Sequence, residues 1–277
     1  MSLDFNVDPW YDDFDEAKNF HRVLFKPGRA VQARELTQAQ TILQDQITKF
    51  ADNIFKQNSP VTGGQVTTNF DCYYVKLEAT YNDVAIDLSQ WYDAVTGEGK
   101  LIRNATGSVV ARVVQSADPT GVGGAGDPPT LIVVYKTGNH FQDGDIIYDV
   151  DSSAVVQAIA SDSTGKSSIV SISYGVFYVL GNFVQIQPQT IIIDKYDNTP
   201  TKRVGLEIRE TVFDYVDDAS LLDPALGASN YQAPGADRYE VSLELITLPL
   251  TPGNDDQFIE LLRIENGKVV KQVDGTV

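Results

Sequence analysis

Four groups of residues in this chain have types that could do chemistry, and their spacing decides against each. Gly121-Val122-Gly123-Gly124-Ala125-Gly126 follows a strand-like run and matches G-x-G-x-x-G, the pattern that cradles a dinucleotide pyrophosphate. That cradle needs a helix to start at the glycines so that its first amides face the phosphates. Here Asp127-Pro128-Pro129 and the β-branched run TLIVVY follow, so no helix starts. Residues 160–167, ASDSTGKS, resemble a phosphate-binding loop with alanine in place of the first glycine. The following SIVSISYGVFYVL alternates at strand period, so this is expected to be a turn between strands. A zinc site would have only His21, His140 and Cys72 to add to carboxylates from several strands. Asp143-Gly144-Asp145 and Asp149-Val150-Asp151 offer oxygen ligands without the spacing of a calcium loop, which makes them solvated turn residues. No nucleophile–base pair is marked out locally. The expectation is a non-enzymatic protein with no catalytic residue, no metal and no cofactor.

Composition narrows the partners. Among 277 residues, 21 Lys and Arg face 38 Asp and Glu, a net charge of −17. Such a surface repels phosphate backbones and anionic membranes, so neither nucleic acid nor membrane insertion is expected. No run approaches the 18 apolar residues of a membrane span, and the acidic start MSLDFNVDPWYDDFD has no signal-peptide core. Synthesis and folding in a cytoplasm follow as the default. Cys72, the single cysteine, has no internal disulfide partner and sits in a strand-like run as a small hydrophobe.

The elements are organised around residues 31–56, VQARELTQAQTILQDQITKFADNIFK, the one long stretch without Gly or Pro that carries a heptad rhythm. Ala33, Gln40, Ile47 and Ile54 take position a; Leu36, Leu43 and Phe50 take position d. This stripe stays on one face of a helix about 39 Å long at 1.5 Å per residue. The flanking positions Thr37, Ala39, Gln44, Gln46, Ala51 and Asn53 are small or amide-bearing and would let a neighbouring helix approach. The stripe either packs on the chain's own sheet or forms a seam between copies. Gln40 favours the seam, because an amide there bonds to its own copy and fixes register, whereas against an apolar sheet it is costly. The heptad pattern by itself does not set the number of helices.

Residues 1–29 form an acidic, aromatic arm in which large rings interleave with aspartates and no period is sustained. Such a segment drapes over a partner or its own domain. Trp10, Tyr11, Asp12, Asp13 and Phe14 are the candidate docking residues. After the helix the pattern changes to period two, with short strands punctuated by Gly, Pro and Asp. Gly181-Asn182 and Asn266-Gly267 read as two-residue hairpin loops. The fold class is mainly β with one long N-terminal coiled-coil-like helix (α+β), made of small β-barrel or sandwich domains and an extended arm. The expected division is arm 1–29, oligomerisation helix 30–57, a β-domain of 58–100 with 162–277, and an inserted barrel-like domain of 101–161.

Three stretches carry a resemblance: residues 11–64, YDDFDEAKNFHRVLFKPGRAVQARELTQAQTILQDQITKFADNIFKQNSPVTGG; 174–208, YGVFYVLGNFVQIQPQTIIIDKYDNTPTKRVGLEI; and 217–241, DDASLLDPALGASNYQAPGADRYEV. Together they resemble a family of tail proteins from contractile-tailed phages, cyanophages among them. Its shared region is labelled a domain of unknown function, and its members are described as tail-fibre or baseplate-wedge proteins. The most specific motifs are Lys26-Pro27-Gly28 with Gln32-Ala33-Arg34-Glu35-Leu36, and Ala233-Pro234-Gly235-Ala236-Asp237-Arg238. Related chains run on past the equivalent of Val277, so a short member or the first part of a longer one is expected. The resemblance implies a structural virion protein of the tail that links baseplate to tail fibre as a homotrimer and is assembled in the host cytoplasm. Its partners would be its own copies and other baseplate or fibre proteins. The alternative is a receptor-binding module that holds a host-surface glycan in its inserted domain, with Trp91, Tyr92, Tyr135 and Tyr148 as candidate stacking rings. A glycan-degrading tailspike would need carboxylates on a repetitive β-scaffold, and no repeat is present. Locally, Pro27 and Gly28 would turn the arm into the helix, Gly235 suits a type II turn with φ > 0, and Asp237-Arg238 is a paired corner or a solvated turn.

Overall fold

Alternation at period two makes most of this chain antiparallel strand, and the heptad stretch makes its one long helix. The computed structural model describes residues 3–120, 126–251, 253 and 255–273. In chain order these form α1 (Ala33–Asp52), β1 (Ser59–Gly63), β2 (Val66–Lys76), β3 (Thr80–Tyr81), β4 (Val84–Ala85), β5 (Tyr92–Asp93), β6 (Glu98–Gly99), β7 (Leu101–Asn104), β8 (Val110–Ala117) and β9 (Thr130–Tyr135). Then come β10 (Ile146–Asp149), β11 (Val155–Gln157), β12 (Thr164–Ile172), β13 (Gly175–Val179), β14 (Asn182–Ile186), β15 (Gln189–Asp194), β16 (Lys202–Phe213), β17 (Arg238–Leu248), β18 (Phe258–Glu265) and β19 (Lys268–Gln272). The fold is mainly β with a single long N-terminal helix, a curled half-barrel sheet and smaller sandwich-like sheets.

The large sheet has eight strands in the order β11-β10-β7-β8-β9-β2-β12-β15. The strands of residues 101–157 therefore join the rest through a lateral pairing, β9 on β2, in which Tyr73 faces Val133. They also enclose an apolar cluster of their own, with Trp91, Ile102, Leu131, Phe141 and Ile147 buried in it. A second cluster lies where β12, β13 and β14 meet the four-stranded sheet β17-β16-β18-β19. Val170, Phe177, Val204, Leu206 and Ile264 are fully buried there. Cys72 is buried between the two clusters beside Ile132 and Ile169, and burial pushes its thiol up to about 11.

The third sheet, β1-β13-β14, positions the helix. Its β13–β14 hairpin turns one residue earlier than the sequence suggests. Val179 pairs with Asn182, so the loop is Leu180-Gly181, with φ of 49° and 75°. A leucine in the left-handed region is uncommon; its side chain packs against the apolar cluster beneath, which offsets that cost. The Asn266-Gly267 loop has φ of 49° and 70°, as its type requires. Gly28 takes φ 81° between arm and helix. Gly235 is glycine for a different reason from the one expected. Its φ is not positive, but a Cβ there would lie 2.4 Å from the Leu221 carbonyl oxygen.

The helix is about 30 Å long and shorter at both ends than the 31–56 pattern. At its start the Gln32 amide donates to the Glu35 carboxylate at 2.9 Å, a capping contact that begins the helix at Ala33. At its end the Ile54 and Phe55 amides both return to the Ala51 carbonyl. This tightens the last turn and sends the Phe55 ring onto Tyr178 and Phe183 of the hairpin. Ile54 therefore sits in the turn beyond the helix. A Cβ on Gly181 would lie 2.5 Å from the Thr48 hydroxyl of the helix. Gly181→Ala is expected to lower stability by about 1–3 kcal/mol through strain and overpacking. Urea unfolding followed by circular dichroism measures that loss.

Candidate oligomerisation face and its arm

Every residue of the predicted stripe is exposed. Ala33, Leu36, Gln40, Leu43, Ile47, Phe50 and Ile54 all lie open on one side of the helix and its terminal turn. The large ones are far from buried: Leu43 is 65% exposed, Phe50 69% and Leu36 53%. Only Ile42 and Ala51 of the helix are buried. The stripe does not pack on the chain's own sheet.

The other side is held by polar contacts. Gln44 donates through Nε2 to the Gly181 carbonyl at 3.0 Å and to Asn182 Oδ1 at 3.1 Å. The Thr48 hydroxyl also reaches the Gly181 carbonyl. The Tyr178 hydroxyl donates to Asp52 at 2.8 Å and lies 3.2 Å from the Thr48 carbonyl. Gln44, one of the flanking positions expected to line a helix–helix contact, is therefore committed to the hairpin, and Ala51, another, is buried. The opposite flank, with Ala39, Gln46 and Asn53, remains beside the open stripe. Sequence reading missed Tyr178 and Gly181 as holders of the helix, because a residue more than a hundred positions away leaves no periodic signal in it.

The arm runs along the helix and away from the stripe. Asp13 accepts from Arg34 at 2.8 Å and from Gln38 at 2.7 Å. Glu16 pairs with Lys49 at 2.8 Å. Asp12 is 5% exposed and takes the Thr41 hydroxyl on one oxygen; the other has no hydrogen-bond partner. Burial raises the Asp12 pKa, Thr41 opposes that, and neighbouring Asp13 adds to it. Further forward the arm reaches the ribbon formed by the outer halves of β16 and β17. The Trp10 indole donates to Asp237 at 2.9 Å, and the Phe5 ring stands edge-on to both Trp10 and Tyr239. Asp237 is thus matched to the arm, while Arg238 turns back to the Ala236 carbonyl. Of the predicted docking residues, Trp10, Asp12 and Asp13 are engaged within the chain, Phe14 is half-buried, and Tyr11 is exposed.

The remaining candidates are placed as follows. Gly121 to Ala125 of the glycine pattern lie outside the described residues, and β9 follows as a strand. Gly165 and Lys166 stand inside β12, where Lys166 pairs with Asp71 and lies 4.0 Å from the centre of the Tyr73 ring. Asp143 caps Ser163, and Asp149 is buried with Ser152 bonded to it. Among the described residues no group of three His, Cys, Asp or Glu is placed to hold a metal ion. No described helix is long and apolar enough to cross a membrane. Of the candidate stacking rings, Trp91 and Tyr92 are in the core; the Tyr135 hydroxyl accepts from the Phe141 amide; Arg103 covers Tyr148.

One family model, described as Domain of unknown function (DUF4815), matches residues 9–86 and 135–276. The matched blocks contain the arm from Pro9, the helix, and the three- and four-stranded sheets. No curated protein and no solved structure matches the chain.

The Tyr178 hydroxyl is pushed up to about 12 by burial and by its bond to Asp52. A raised phenol contributes stability that is complete below the ordinary tyrosine value of about 10 and is lost as pH rises through the folded value. The helix is expected to loosen from its hairpin between about pH 10 and pH 12. Tyr178→Phe should cost about 1 kcal/mol at neutral pH and flatten that alkaline loss. Hydrogen exchange of the α1 amides across this range reads both effects.

Proposed function

The chain belongs to the DUF4815 family, a domain found in phage-associated proteins, and we propose that it is a structural, non-enzymatic virion protein of a phage tail. In this reading it links baseplate to tail fibre as a homotrimer about the helix Ala33–Asp52, with neighbouring baseplate and fibre proteins as its other partners. One observation carries the proposal: the heptad stripe is exposed along its length while another side of the helix is clasped by the hairpin and the arm. A monomer rarely leaves a contiguous row of Leu, Ile and Phe in water, and a row at heptad spacing fits copies of itself. Gln40 stands inside that row, where copies around a symmetry axis bring their amides together and set the register. The β-rich remainder, with its eight-stranded antiparallel sheet, is compatible with a structural virion role.

Burying each large a or d side chain contributes about 1.5–3 kcal/mol per subunit. The intact chain is expected to show a solution mass of roughly 91 kDa, three closed copies about one axis, against 30.4 kDa for one. Leu43→Asp is expected to reduce it to a monomer with unchanged circular dichroism. Light scattering behind a sizing column decides the matter, and an unaltered trimer in Leu43→Asp would place the contact elsewhere.

A further inference from the structure

The arm is divided by charge. Residues 3–19 hold six carboxylates against one lysine, Lys18. Residues 20–31 hold Arg22, Lys26 and Arg29 with no carboxylate, in a chain whose net charge is −17. The acidic half is fastened to its own helix and ribbon through Asp13, Glu16 and Trp10. The basic half has no such fastening, and of its large apolar side chains only Val23 is half-buried. Among the described residues, no side chain from 20 to 31 makes a hydrogen bond, ion pair or ring contact. Its other large apolar side chains are open: Leu24 is 79% exposed, Phe20 61%, Phe25 53% and Val31 53%.

Position gives this segment a place to go. Glu16 is tied to Lys49 near the end of α1, and residue 33 begins α1, so the segment returns along the helix. The sixteen residues between those helix positions rise about 24 Å, whereas twelve extended residues span up to about 40 Å. The basic half therefore has slack to bow outward. Helices packed in a bundle lie about 8–10 Å apart, well within its reach.

We propose that the basic, apolar half of the arm, residues 20–31, docks on a second copy of this chain and lies against the acidic half of that copy's arm. This rests on the trimer reading above and deepens it. Arg22, Lys26 and Arg29 then face the exposed Asp4, Asp8 and Asp15 of the neighbour, and Leu24 and Phe25 leave the water. Each arm gives its basic half to one neighbour and receives the basic half of the other. The contact is head-to-tail, and about a rotation axis it closes into a ring.

The test uses the full chain with benzoylphenylalanine at position 25, mixed as isotopically heavy and light copies and irradiated at 0.15 M salt. Heavy–light crosslinks from position 25 into residues 3–19 are expected. Arg22→Glu combined with Lys26→Glu and Arg29→Glu should abolish them and weaken assembly at least about tenfold, a difference that shrinks in 1 M salt. These side chains are unpaired in the single chain, so the variant folds normally by circular dichroism. A trimer whose position 25 crosslinks only within its own chain, or to no part of residues 3–19, overturns this inference and leaves the helical seam standing. A chain that stays monomeric before any substitution overturns both.

Discussion

The structure depends on one unmet requirement: a helix whose apolar face has nothing of its own fold to cover it. Most amphipathic helices in a globular protein are held by that face. Here Leu36, Leu43, Ile47 and Phe50 point away from the sheets, and only Ile42 and Ala51 are buried. The helix must be kept in place by its other side, and that side is polar. Gln44, Thr48 and Asp52 reach the hairpin at Gly181 and Tyr178, while Arg34, Gln38, Thr41 and Lys49 take the arm. Such bonds give up protein–water contacts to form and yield only about 1 kcal/mol each. They orient the helix well and stabilise it modestly, which leaves the apolar face free for another purpose.

The arm follows from the same requirement. The hairpin holds the helix at Gln44, Thr48 and Asp52, and the acidic half of the arm holds it further at Arg34, Gln38, Thr41 and Lys49. It does so at some cost, since Asp12 is buried with one oxygen unmatched and its ionised form is disfavoured there. The forward end reaches the ribbon of β16 and β17 through Phe5, Trp10, Tyr239 and Asp237. A single strap thus ties the helix to the sheet farthest from it in sequence.

What the sequence made legible follows the distance over which each signal acts. The stripe from Ala33 to Phe50 is a local period, and all of it emerged on one open face. Strand runs such as TLIVVY and the Asn266-Gly267 loop are also local, and they emerged as β9 and the β18–β19 turn. Errors arose where a distant residue decided. The helix stops before Ile54 because Phe55 is drawn to Tyr178 and Phe183. The hairpin turns at Leu180 because the core beneath accepts a leucine there. Gly235 answers to the Leu221 carbonyl and not to its own turn. The arm was legible as a docking segment, but aperiodic residues carry no record of which surface they meet. That Trp10 would find Asp237 could not be read from either.

The family match divides the chain into matched and unmatched parts. Residues 87–134 are unmatched, and they contain β5 to β8 and all of β9 except its last residue. Within them lies a polar cavity of about 340 Å³, bordered by Asp93, Glu98, Lys100 and Arg112. In the eight-stranded sheet β7, β8 and β9 lie between matched strands, with β7 paired to β10 on one side and β9 paired to β2 on the other. The helix, its hairpin, the four-stranded sheet and the arm from Pro9 all fall in the matched blocks. The helix with its open apolar face, and the contacts that hold it, therefore lie in the part that the family model matches.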